Sequence, residues 1–313
     1  MSKSSFNAIL FTVLFFGLTV VPGGASLAQV NARETVIGVQ FHFEPLEIIH
    51  GWNSWSNNAI TFANFYDRTP HCNRPPRLHE YDGSMVARTF TPCMAEAVLS
   101  VVNEHFAELG PPLSVRFESR GVRPMTSAEL SHVTRNQGFQ GYREFLNHLR
   151  RTQAGETGVI NVWMVGSNND SRHAAGGTTF ANQRLRGSSP ATIVMIIDQF
   201  NLGYSAYTLA HELGHLMGLD GHLTDDLEFR TDAGVVQIPS FTTLQRTHGI
   251  TSGCEYLNIM GSFSDGCSTE ERRNITIGFN TPIHGDILRD VFTGWLYNRQ
   301  LAPLPRNWPQ SAQ

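Results

Sequence analysis

Residues 211 to 222 read HELGHLMGLDGH and place three histidines and a glutamate within twelve positions. His211 and His215 stand four apart. On a helix that spacing projects two side chains from one face, so their imidazoles can reach a single zinc ion at about 2.0–2.1 Å each. Glu212 lies next to His211, close enough to take a proton from water held there but turned too far round to be an easy ligand. Two ligands beside a general base suit metal-assisted hydrolysis. Burying such a trio on an otherwise apolar helix is costly unless something satisfies it.

Gly218 follows three residues after His215. A helix ending there on a left-handed glycine can turn the chain back under the metal. His222 is the nearest good donor after that turn, with Asp225 and Asp220 as alternatives. The stretch resembles HExxHxxGxxH of the metzincin clan of zinc endopeptidases, matching it through the tenth position. The eleventh residue is Gly221 and His222 comes one later, an offset that a bulge at a glycine can absorb. A longer clan spacing, HExxHxxGxxGxx(H/D), matches Gly221 as its second glycine. Its ligand position then falls on Thr224, one residue before Asp225.

Downstream, CEYLNIMGSFSDGC runs from Cys254 to Cys267, and Asn258-Ile259-Met260 resembles the clan's Met-turn, whose methionine lies beneath the zinc ligands. The flanking cysteines, and AGGTTFAN followed by ATIVMIID, look most like the pappalysin-like branch. Where that branch commonly carries tyrosine two residues after the methionine, this chain has Ser262. The resemblance spans roughly residues 158 to 300. It implies an α/β (α+β) fold with a twisted, mixed five-stranded sheet, an active-site helix, a Met-turn and a C-terminal helix. It also implies one catalytic zinc on His211, His215 and His222, with Glu212 as general base and a protein or peptide as substrate. The strand before the helix would form an exposed edge, so that Ala191–Asp198, or the Gly-rich stretch before it, holds substrate in extended form.

The elements that must position these residues are legible in part. Thr35–Phe43 is β-branched and alternating, and reads as a strand. Residues 44–92 read as an irregular insertion. Cys93–Leu109 has helical spacing up to Gly110-Pro111-Pro112, and Leu113–Glu118 is a second strand. The capping sequence TSAE begins a helix at Thr126, and another runs from about Gly141 to Arg151. Gly158–Val165 is nearly all apolar, as a strand covered on both faces should be, and Ala191–Asp198 is another. Ser205–Met217 fits the helix that carries the histidines, and a closing helix lies within 282–301.

Composition bounds the rest. Lys3 begins a leader with an apolar run from Ala8 to Val21 and small residues at Ser26-Leu27-Ala28, so residues 1–28 read as a signal peptide. Residues 29–313 then form a single, monomeric catalytic domain, with an upper part at about 34–218 and a lower part at about 219–303. The expected location is extracellular or periplasmic. The net charge of −4 is too mild to imply nucleic acid or a membrane as partner. Lys3 is the only lysine, which excludes Schiff-base, P-loop and Ser-Lys chemistry in the mature chain. Four cysteines in an exported protein read as two disulfides, expected between the sequence-near pairs Cys72–Cys93 and Cys254–Cys267. A rival role for Cys72 is a thiolate capping the zinc in a latent enzyme. Two readings compete with the protease: an exported zinc-binding protein, and a zinc hydrolase of a small or cell-wall peptide. The other histidines, His42 among them, lack ligand spacing and read as surface or satisfied core residues.

Overall fold

A computed structural model describes residues 34–45, 60, 63–72, 78–81, 84–87, 89–166, 176–180, 183, 185, 189–197, 202–219, 227–231, 234–238, 259–260, 279 and 285–296. At its centre is a five-stranded sheet, mostly parallel. Strands β1 (Thr35–Phe43), β4 (Val115–Pro124), β5 (Ile160–Gly166) and β7 (Ala191–Ile197) run parallel, and β6 (Gly176–Thr179) pairs antiparallel with β7. The order is β4-β1-β5-β7-β6, which puts β6 at one edge. β7, expected as the edge strand, is interior, and the Gly-rich stretch before it supplies the edge instead.

Every residue of β5 and β7 is buried, because helices cover both faces. On one face α2 (Pro92–Ala107) and α5 (Leu202–Leu216) pack on Val39, Phe41, Val162, Met164, Ile193 and Met195. On the other α4 (Phe139–Arg151) covers Trp163, Val165, Val194 and Ile196 through Tyr142, Phe145, Leu146 and Leu149. Strand alternation sends neighbouring residues to opposite layers, which is why this apolar run serves two cores at once. α6 (Gly285–Leu296) adds Leu288, Val291 and Phe292 to the α5 side, where Phe106 meets Phe292 with ring centroids 5.5 Å apart.

Local rules set the helix starts. Thr91 caps α2 by accepting from the Met94 amide at 3.3 Å, with Pro92 at the first helical position. TSAE forms a reciprocal capping box at α3 (Ser127–Leu130). The second strand runs on to Pro124, beyond its expected end at Glu118, because β1 pairs along its full length across a bulge between Val39 and Gln40. The supposedly irregular 44–92 contains α1 (Phe65–Arg68) and an antiparallel pair, β2 (Leu78–Tyr81) with β3 (Ser84–Ala87). A second antiparallel pair, β8 (Leu227–Thr231) with β9 (Gly234–Ile238), follows α5. No helix among the described residues is long and apolar enough to cross a membrane.

Cys72 and Cys93 are joined in a disulfide, Cα–Cα 6.1 Å, which ties the segment after α1 to the first turn of α2. The latent-thiolate role of Cys72 is thereby excluded. Donor atoms of His71, Cys72 and Glu96 cluster within 4.8 Å of one another. With the Cys72 sulfur bonded to Cys93, that group offers an ion no thiolate, and His71 pairs with Glu96 instead. Cys254 and Cys267 lie outside the described residues.

Candidate metal centre

α5 carries the HExxH string, and its C-terminus is built by Gly218. Gly218 has φ 120°, open to glycine at little cost. Its amide bonds the His215 carbonyl at 3.0 Å and the Leu219 amide bonds the Gly214 carbonyl at 3.1 Å. This is a Schellman cap, sealed by Leu219, which is buried. The turn has a chemical product, because it brings the Leu219 carbonyl 2.7 Å from His215 Nδ1. His211 Nδ1 lies 2.6 Å from the Ile259 carbonyl. The Tyr207 hydroxyl, one turn earlier on α5, donates to that same carbonyl at 3.3 Å.

A carbonyl can only accept, so each Nδ1 carries the hydrogen and each neutral ring presents an unprotonated Nε2. The two Nε2 atoms face each other at 3.1 Å. Two lone pairs at that distance repel unless a cation lies between them. Two nitrogens bound tetrahedrally to one zinc ion at about 2.0–2.1 Å stand about 3.3–3.4 Å apart, close to the separation found. Carbonyls that fix the tautomer of both rings are the usual outer partners of zinc-binding histidines. The two described donors therefore fit a shared divalent metal ion.

Glu212 is buried, and its Oε2 has no hydrogen-bond partner among the described residues. Burial pushes its carboxyl up to about 8. A buried polar atom left without a partner is costly for the fold. Met260 is fully buried beneath the helix. A Cβ on Gly214 would stand 2.3 Å from its sulfur, so the glycine inside the HExxH string is what lets methionine approach.

The structure thus brings His211, Glu212, His215 and Met260 together, while His222, Asp220, Asp225 and Ser262 lie outside the described residues. Sequence reasoning missed the two carbonyls that orient the rings, which no side-chain pattern could reveal. It also missed Gly177 on β6, which abuts Glu212. The Gly-Gly pair opening β6 was the available signal, since glycine in a strand often marks close approach. His42 is buried, with Nε2 3.0 Å from Asn161 Oδ1 and its ring stacked on Trp163 at 4.0 Å, a core role.

No family model and no curated protein matches this chain. Among solved structures, metalloproteinase-II from Bacteroides fragilis is similar at 11% identity with a TM-score of 0.32, over 62% of this chain and 46% of that one. A chaperone-substrate complex is similar at 13% identity with a TM-score of 0.31, over 82% of this chain and 36% of that one. The chain spans less than half the length of either. Likenesses this distant leave function to be argued from the site's own geometry.

Proposed function

We propose that the chain is an exported zinc-dependent endopeptidase of the metzincin type, nearest the pappalysin-like branch, acting as a single domain after removal of residues 1–28. The observation that carries the reading is the convergence of His211 Nε2 and His215 Nε2 at 3.1 Å, with a buried Glu212 oxygen on the same helix that has no partner among the described residues. His222 completes the ligand set, with Asp225 and Asp220 as alternatives. Bound zinc would supply Lewis-acid polarisation of the scissile carbonyl and a more acidic water. Glu212 accepts a proton from the attacking water and returns it to the leaving amine. The two ring-orienting carbonyls keep both Nε2 atoms aimed at one point. The outer edge of β6 offers main-chain groups to an extended peptide, and Met260 forms the floor beneath the histidines.

Glu212→Ala separates catalysis from metal binding. It should keep about one zinc per chain and lose at least the roughly 10²–10⁴-fold in rate typical of a positioned general base. Casein or a peptide library is the substrate, with metal measured on the same samples. A zinc-loaded wild type that cuts none of them would leave the site to a non-proteolytic role. Among the ligands, His222→Ala should strip the metal and Asp225→Ala should retain it, and the reverse result assigns the longer spacing.

A further inference from the structure

The edge strand touches the candidate base directly. A Cβ built on Gly177 would stand 2.5 Å from Glu212 Cγ and 2.7 Å from both Cδ and Oε1, distances that real Cβ atoms essentially never show. One residue earlier, a Cβ on Gly176 would meet nothing within 4 Å among the described residues. The contrast follows from strand alternation. Gly177 pairs with Met195, whose side chain packs on the α5 side, whereas Gly176 pairs with Ile196, which faces α4. Gly177 does not occupy the left-handed region, so its backbone makes no demand for glycine. The demand comes from the space that Glu212 fills.

We infer that Gly177 is a positioning residue for Glu212, its missing side chain being the room in which the carboxylate lies. The inference rests on the proposed function for its catalytic consequence and on geometry alone for the contact. Glu212 is itself 3% exposed, so a methyl group at 177 cannot be avoided by a swing into open solvent. The carboxylate must shift along its own pocket. A displacement of about 1 Å at a reacting group costs on the order of 10²-fold in rate. Main-chain groups of β6 are unaltered by alanine, so substrate held along that edge stays in place. The strand then has two uses, with its outer edge for the peptide and one glycine for the base.

The test compares full-length Gly177→Ala, Gly176→Ala, Glu212→Ala and the double variant Gly177→Ala/Glu212→Ala, all zinc-loaded. Gly177→Ala should keep its zinc and lose on the order of 10²-fold in kcat, with KM moving far less. Gly176→Ala adds the same methyl to the same strand and measures any general effect of side-chain bulk there. A kcat for Gly177→Ala no lower than that of Gly176→Ala overturns the inference. Melting temperature supplies a second reading that needs no activity. Gly177→Ala should lower it when Glu212 is present and leave it unchanged in the Glu212→Ala background, which lacks all three clashing atoms. Equal losses in both backgrounds would mean that something other than Glu212 takes the clash. If the wild type cleaves nothing, the protease reading fails while the melting comparison still decides the contact.

Discussion

Two buried carboxylates in this molecule are treated in opposite ways. Glu44, just past β1, has both oxygens engaged: Arg135 pairs with Oε1, and the Gly166 amide donates to Oε2 at 2.8 Å. The carbonyl of the same Gly166 accepts from Tyr142 at 3.0 Å and from Arg135 Nε at 3.2 Å. Glu212, on the opposite side of the sheet, leaves Oε2 without a partner among the described residues. The first arrangement closes a corner of the fold. The second leaves a buried polar atom unpaired among the described residues, a cost that the proposed function would account for.

The contrast should be largest in stability. Glu44→Ala breaks the Arg135 pair, leaves the buried Gly166 amide without its acceptor and should cost about 3 kcal/mol in denaturant melts. Glu212→Ala removes a buried group whose Oε2 has no partner among the described residues, and should cost nothing or raise the midpoint. Equal losses would erase the distinction between the two carboxylates.

pH sharpens it next. Burial pushes His42 down to about 4, against the pull of its hydrogen bond to Asn161. A group whose folded pKa is depressed binds fewer protons folded than unfolded. Its contribution is therefore complete above about 6.5 and is lost as pH falls towards 4. His42→Gln should flatten that loss, by about 1–2 kcal/mol at pH 5, when chemical melts of both proteins are compared across the window. An unchanged slope would show that the imidazole is hydrated when folded.

Thr126→Ala should have the smallest effect, about 0.5–1 kcal/mol. Burial alone would raise the Glu129 carboxyl, but hydrogen bonds from Arg123 and Thr126 outweigh it and hold Glu129 down at about 2. Losing the threonine hydroxyl leaves the Arg123 pair, with contacts of 2.6 and 3.1 Å, in place. A loss well above this range would mean that the capping box anchors more than a single turn.

What was legible in the sequence follows from what each element depends on. β5 and β7 are apolar throughout because helices cover both faces, and INVWMVG and ATIVMII advertise that burial directly. α5 is legible through its spacing and Gly218. β6 is not, because Gly-Gly-Thr-Thr has little strand propensity and owes its form to β7 and to Gln183. The Gln183 side-chain amide bonds both the amide and the carbonyl of Thr192, at 3.0 and 3.1 Å, extending the ladder where the strand's own backbone stops. Trp295 on α6 holds the Gln183 carbonyl at 3.0 Å, a contact across 112 residues that no local pattern encodes. Of the candidate site, the closeness of His211 and His215 was legible from their spacing and the backbone carbonyls beside their rings were not.

The carbonyl beneath His211 belongs to a residue 48 positions later in the chain. A polypeptide translated only as far as α5 already has both imidazoles, but one of them lacks its orienting acceptor. On the proposed reading, coordination competence is thus coupled to translation of the chain as far as Ile259. A nascent or partly threaded chain holds the full HExxH string without a finished site, so on the proposed reading hydrolytic capability arrives late, after most of the chain has been made.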